Sequence, residues 1–168
     1  NTIKSCNFFK KVNSKISFND NNMTKSIDIF VEEKPTGEIY ASAGAGTSGA
    51  SFGFGVKENN FLGNGIGLDT NFFASTSEFK GKFSVTNPNF NNSDKSLYFS
   101  AQATENDNYK TFGYKTNKTG FSVGTNFEYL NDFYLGLNNS NFYETIETNS
   151  TASAQQQQQE GNYWDSFL

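Results

Sequence analysis

Apolar and polar residues alternate with a period of two from residue 39 almost to the end of the chain. Period two marks a strand with one apolar and one polar face. Ile39, Ala41, Ala43 and Ala45 share one face; Tyr40, Ser42, Gly44 and Gly46 share the other. Thr47-Ser48-Gly49 then turns the chain. Phe52, Phe54 and Val56 alternate with Ser51, Gly53, Gly55 and Lys57. After a turn at 60–65, Ile66, Leu68, Thr70, Phe72 and Ala74 oppose Gly67, Asp69, Asn71 and Phe73. Phe79, Gly81, Phe83 and Val85 oppose Lys80, Lys82, Ser84 and Thr86. The alternation recurs at 97–104 and 121–126, and starts again at Leu135 and at Tyr163. Connections near 60–64, 91–94 and 130–132 read as short turns. Those at 105–116 and 147–161 read as long polar loops, with Gln155–Gln159 as a disordered tip. The connections at 47–49 and 76–78 are short exceptions on the long side.

The first 34 residues have a different pattern. Ile3, Cys6 or Asn7, Phe9 and Val12 fall near helical spacing, so residues 1–12 predict a helix. SKISF (14–18) and KSIDIFVEE (25–33) predict two strands around a polar turn at 19–22. Such a unit is too small to hold a core alone. It reads as the end of a larger αβ module. Pro35-Thr36-Gly37 separates it from the meander.

Each predicted meander strand has about 9–11 residues, the length a tilted strand needs to cross a bilayer. Short turns at one end and longer loops at the other match a membrane barrel. A soluble β-sandwich also alternates. It less readily yields one apolar set and a second set of Gly, Ser, Asn, Lys and Asp over seven successive strands, so the barrel is the better fit.

Composition narrows the chemistry. The 19 Phe, 15 Gly and only 2 Pro suit strands and turns. His is absent and Cys is single, which leaves no Cys/His metal set and no disulfide framework. No cofactor is expected. A net charge of −4 gives no basic patch for nucleic acid. Asp69, Glu78 and Glu128 form no carboxylate pair that spacing supports, and no nucleophile stands with a base, so an enzyme is not expected. Gly44 to Gly49 matches G-x-G-x-x-G, but a phosphate site needs a helix directly after it, and a strand is predicted there.

The stretch VEEKPTGEIYASAGAGTSGASFGFGVKENNFLGNG (31–65) and SVTNPNF (84–90), with the NFFKKV segment before them, resemble the BamA family of outer-membrane protein assembly factors. The resemblance implies a mostly β chain. Residues 1–34 would be the α+β end of the last periplasmic POTRA domain. Residues 35–168 would be an antiparallel transmembrane β-meander, about half of a sixteen-stranded outer-membrane barrel. It further implies a piece of a longer protein, placed in the bacterial outer membrane with 1–34 in the periplasm. Glu38, Ile39, Tyr40, Ala41, Ser42, Ala43, Gly44, Ala45, Gly46 and Thr47 would form the first barrel strand and a lateral gate, with Pro35, Thr36 and Gly37 as the domain junction. Implied partners are unfolded outer-membrane protein clients, assembly lipoproteins and outer-membrane lipid. The family's Val-Arg-Gly loop motif, from the second half of the barrel, is absent here. TamA-like and two-partner-secretion barrels share the architecture, and a passive porin-like or structural β-protein is the alternative of a different class.

Overall fold

The computed structural model describes residues 8–19, 24–47 and 49–168. They form two units that divide between Thr36 and Gly37.

The first unit is an antiparallel hairpin of β1 (Phe9–Asn19) and β2 (Thr24–Glu33). Val12 opposes Val31, Ser14 opposes Ile29 and Ile16 opposes Ile27. The helix expected over 1–12 is not found where the chain is described, because Phe9 to Val12 already belong to β1. Residues 1–7, with Ile3 and Cys6, and the turn at 20–23 lie outside the described residues. Phe9 and Val12 suit a strand, and pairing to β2 gives their backbone a partner that outweighs a weak 3.6 period. Lys10 and Lys11 both reach Glu32, at 3.2 and 3.6 Å, from across the ladder. Among the described residues this unit is therefore a hairpin, not an α+β module.

The second unit is one eight-stranded sheet. Its strands are β3 (Gly37–Gly46), β4 (Gly49–Phe61), β5 (Ile66–Ser75), β6 (Glu78–Asn87), β7 (Lys95–Asn108), β8 (Tyr114–Leu130), β9 (Phe133–Thr148) and β10 (Gly161–Phe167). Each pairs antiparallel with the next, so spatial order is sequence order. The sheet is an open meander with β3 and β10 at its edges.

Strand lengths depart from the 9–11 expected. β7, β8 and β9 have 14, 17 and 16 residues. The long loop expected at 105–116 is mostly strand. Glu105 opposes Asn117 and Asp107 opposes Lys115, with a helical turn only at Tyr109–Phe112. Lys115 Nζ lies 2.7 Å from Glu105 and 3.6 Å from Asp107. Polar and charged side chains on both faces hide this extension from a hydropathy pattern, while the backbone ladder simply continues.

The Gln155–Gln159 run is also more ordered than expected. Ser153 Oγ accepts a hydrogen bond from the Gln156 backbone, and the Ser153 backbone N–H donates to Gln156 Oε1, a capping box that starts a helical turn at Ala154–Gln157. Gln157 Nε2 donates to the carbonyls of Asn149 and Ala152. Asn149 donates from its backbone to Gly113 O, at 2.8 Å, and from its side chain to Tyr109 O, at 3.0 Å. This loop is thereby fastened to the neighbouring 109–113 turn.

Glycine and aromatic residues stand opposite each other across the polar face. The pairs are Tyr40–Gly55, Phe73–Gly53, Tyr98–Gly124 and Phe142–Gly120. The Tyr40, Tyr98 and Phe142 rings occupy the volume that a Cβ on the facing glycine would need. Aromatic cover of strand glycines pins register and lets a sheet curl. In Gly120→Ala the new Cβ also meets the backbone carbonyl of Asn141. This substitution should cost about 1–3 kcal/mol. Gly46→Ala, whose Cβ meets nothing within 4 Å, should be near neutral. Urea unfolding of the full-length protein in lipid vesicles compares the two. Gly113→Ala combines a φ of 76° with contact to Ala152 and Thr151. It should release the 149–160 loop, read as faster proteolysis within Gln155–Gln159 at unchanged stability of the sheet.

Candidate functional site

The two faces of the large sheet have opposite chemistry. Phe52, Phe54, Phe72, Phe79, Phe83, Phe99, Phe121, Val123, Leu135 and Leu137 lie on one face and are all exposed, Phe52 by 57% and Leu137 by 59%. The only buried hydrophobic residue among those described is Ala152. A soluble fold hides such a surface, so this face needs an apolar environment. The opposite face carries Lys57, Asp69, Lys80, Lys82, Gln102, Lys118, Glu144 and Asp165.

The register also gives the inclination of the apolar band. Phe121 is the last apolar residue of β8 toward the 109–113 turn. The cross-strand row through it runs by Ala101, Phe83, Thr70 and Val56 to Ile39. On β3 the corresponding last apolar residue is Ala45, six residues farther along. The band thus slides six residues over five strand-to-strand steps, about 1.2 residues per strand. With a rise of about 3.3 Å and a strand spacing of about 4.8 Å, that slide corresponds to a strand tilt of about 40°. Transmembrane barrels have tilts of roughly 35–45°. The set on β5, Ile66 to Ala74, runs about 26 Å along the strand and about 20 Å after that tilt, most of the ~25 Å apolar belt of such barrels.

On the polar face, Lys118 lies 3.3 Å from Glu144 and 3.9 Å from Asp165, with its ammonium 5.2 Å from the Phe142 ring centre. One row crosses four serines: Ser84, Ser100, Ser122 and Ser140. Ser122 donates to Ser140 at 2.8 Å, and Asn138 reaches Ser140 at 3.2 Å. The sequence reading missed this row, because its members come from four strands whose register is not visible in the chain.

The residues expected at the gate fall on one edge. Ile39, Ala41, Ala43 and Ala45 of β3 lie on the apolar face, opposite Val56, Phe54, Phe52 and Ala50. Glu38, Tyr40, Ser42, Gly44 and Gly46 lie on the polar face. Every residue of β3 is exposed. Its far edge meets no other strand among the described residues. Two assignments shift by one residue. Gly37 opens the strand instead of belonging to the junction, and Thr47 lies in the turn after it. Pro35 and Thr36 precede the strand, and Ser48 lies outside the described residues. Strand β4, not a helix, follows Gly49, so the glycine run holds no phosphate cradle.

No family model matches the sequence. Among solved structures, the chain is similar to the crystal structure of BamA from Haemophilus ducreyi lacking POTRA domains 1–3. The TM-score is 0.68 at 22% identity. The match covers 88% of this chain and 29% of that one. This chain has the fold of part of a BamA-type outer-membrane β-barrel. It spans less than a third of the length of that structure.

If the apolar face meets lipid, a charge placed in its centre should be costly, while one on the opposite face should not. Phe99→Arg is expected to lose about 2–4 kcal/mol, and Gln102→Arg less than about 1 kcal/mol. Urea titration of the full-length protein folded into vesicles checks this. Equal losses would argue against a lipid-facing band.

Proposed function

We propose that this chain is part of an outer-membrane barrel that folds and inserts other β-barrel proteins, with β3 as the strand that receives them. The observation that carries the reading is the free edge of β3. An unpaired strand edge is a template for adding another strand. Ala41, Ala43 and Ala45, with Gly44 and Gly46, offer little side-chain packing to hold a closed seam, so a weak pairing there can open. The client would add by backbone hydrogen bonds, which require no particular client sequence.

In this reading the barrel has sixteen strands, and the described meander supplies its first eight. The hairpin β1–β2 belongs to the last POTRA domain and lies in the periplasm with the short turns; the 109–113 turn and the 149–160 loop face outside. Partners are unfolded outer-membrane proteins, assembly lipoproteins and the lipid around the band. The resemblance over residues 31–65 and the likeness in fold to BamA both support this assignment. Catalysis here is templating and needs no reactive side chain or cofactor.

The test uses the full-length parent protein with Ala43→Cys and client barrels carrying single cysteines on their terminal strands. Disulfide or bismaleimide crosslinks from position 43 to the client are expected during assembly. Crosslinks only to the barrel's own last strand, with clients present, would argue against β3 as the receiving edge.

A further inference from the structure

Above the apolar band, the outward face of β9 and β10 carries amides, a hydroxyl and two aromatic rings before Glu147 is reached. Leu137 is the last apolar residue of β9 before Asn139, Asn141 and Tyr143. Ser166 opposes Asn141, and Trp164 opposes Tyr143. The two rings are 6.3 Å apart at 49°. They are well exposed, Trp164 by 65% and Tyr143 by 46%. Trp164 is the single tryptophan of the chain. Beneath them runs a short hydrogen-bond chain. Ser166 donates to Asn141 Oδ1 at 2.9 Å, Asn141 Nδ2 to Asn139 Oδ1 at 2.5 Å, and Asn139 Nδ2 to Phe167 O at 3.2 Å. Each amide nitrogen uses one N–H in this chain and keeps a second for a ligand.

Position and charge select the occupant. Tyr143 lies six residues beyond Leu137 and about three beyond the level of Phe121 carried across the slide, about 8–15 Å along the normal at the tilt found above. The polar layer of a phospholipid leaflet is only about 5–8 Å thick. The rings therefore stand at or beyond the outer edge of that layer, the level a sugar headgroup reaches. An aromatic face packs against the apolar C–H face of a sugar ring, while amides and hydroxyls at its edge bond the sugar hydroxyls. Charge opposes a phosphate ligand. On this face of β7 to β10, the charged residues above the band are Glu105, Asp107, Glu147 and Lys115. Lys115 is already paired to Glu105 and Asp107.

We propose that the Trp164–Tyr143 pair and the Asn141–Asn139–Ser166 chain beside it bind the uncharged sugar headgroup of a glycolipid in the surrounding leaflet. The site rests on the membrane reading above, which supplies the leaflet and its orientation.

The experiment places the full-length protein in phosphatidylcholine nanodiscs with equal amounts of digalactosyldiacylglycerol and phosphatidylglycerol. Lipid retained by the ejected protein is read by native mass spectrometry. Heat-modified mobility confirms insertion for every variant. The sugar lipid should be retained about fivefold over the anionic one, which is about 1 kcal/mol. Trp164→Ala and Asn141→Ala should each remove most of that preference in protein that still inserts. Equal or greater retention of phosphatidylglycerol would overturn the site, as would a preference unchanged in both variants. So would a change of oligomeric state in the variants without any sugar preference, because the patch would then be a contact between copies. A wild-type protein that does not insert would sink the membrane reading and this site with it. An inserted protein without the preference would sink the site alone.

Discussion

Backbone pairing between neighbouring strands holds this sheet together, because among its described residues almost nothing else does. Ala152 is the only buried hydrophobic residue among those described, so side-chain burial among them cannot be the main stabilising term. In an apolar environment every unpaired N–H and C=O costs several kcal/mol, which makes a continuous ladder compulsory. The seven antiparallel pairings from β3 to β10 meet that demand everywhere except at the two edges. The apolar residues are left to face outward.

Register is the second constraint, and the side chains set it. A slip by one residue would move Phe52, Phe54 and Val56 to the polar side and Lys57 to the apolar side. The glycine–aromatic pairs work in the same direction. Tyr98 fits over Gly124 and Phe142 over Gly120 only in the observed pairing. The 1.2-residue slide of the band follows from this register together with the placement of Phe and Ala along each strand. Inclination is thus encoded in where each apolar run stops, not in any single residue.

The alternation made the meander legible. Positions 39–45, 52–56 and 66–74 have one reading as strands, and the first seven strands and the start of the eighth could be placed from it. The signal failed where both faces are polar. Glu105 to Asn108 and Tyr114 to Lys118 lack an apolar partner set, so strand looked like loop. It also failed at Phe9–Val12, where four residues satisfy either period and only the pairing to β2 decides. The glutamine run misled through composition; its order comes from Ser153 and Asn149, residues outside the run. The free edge of β3 could be anticipated only through the resemblance. The serine row and the Trp164–Tyr143 pair needed the register itself.

The slide of the band has a further effect on the rim of the sheet. On β3 the strand ends at Gly46, one residue past the last apolar position. On β9 it continues to Thr148, eleven residues past Leu137. At the tilt derived above, that is a rise of roughly 28 Å. The rim of the sheet is level with the band at β3 and stands high above it at β9. A path from the polar face of the sheet across this rim is shortest over β3.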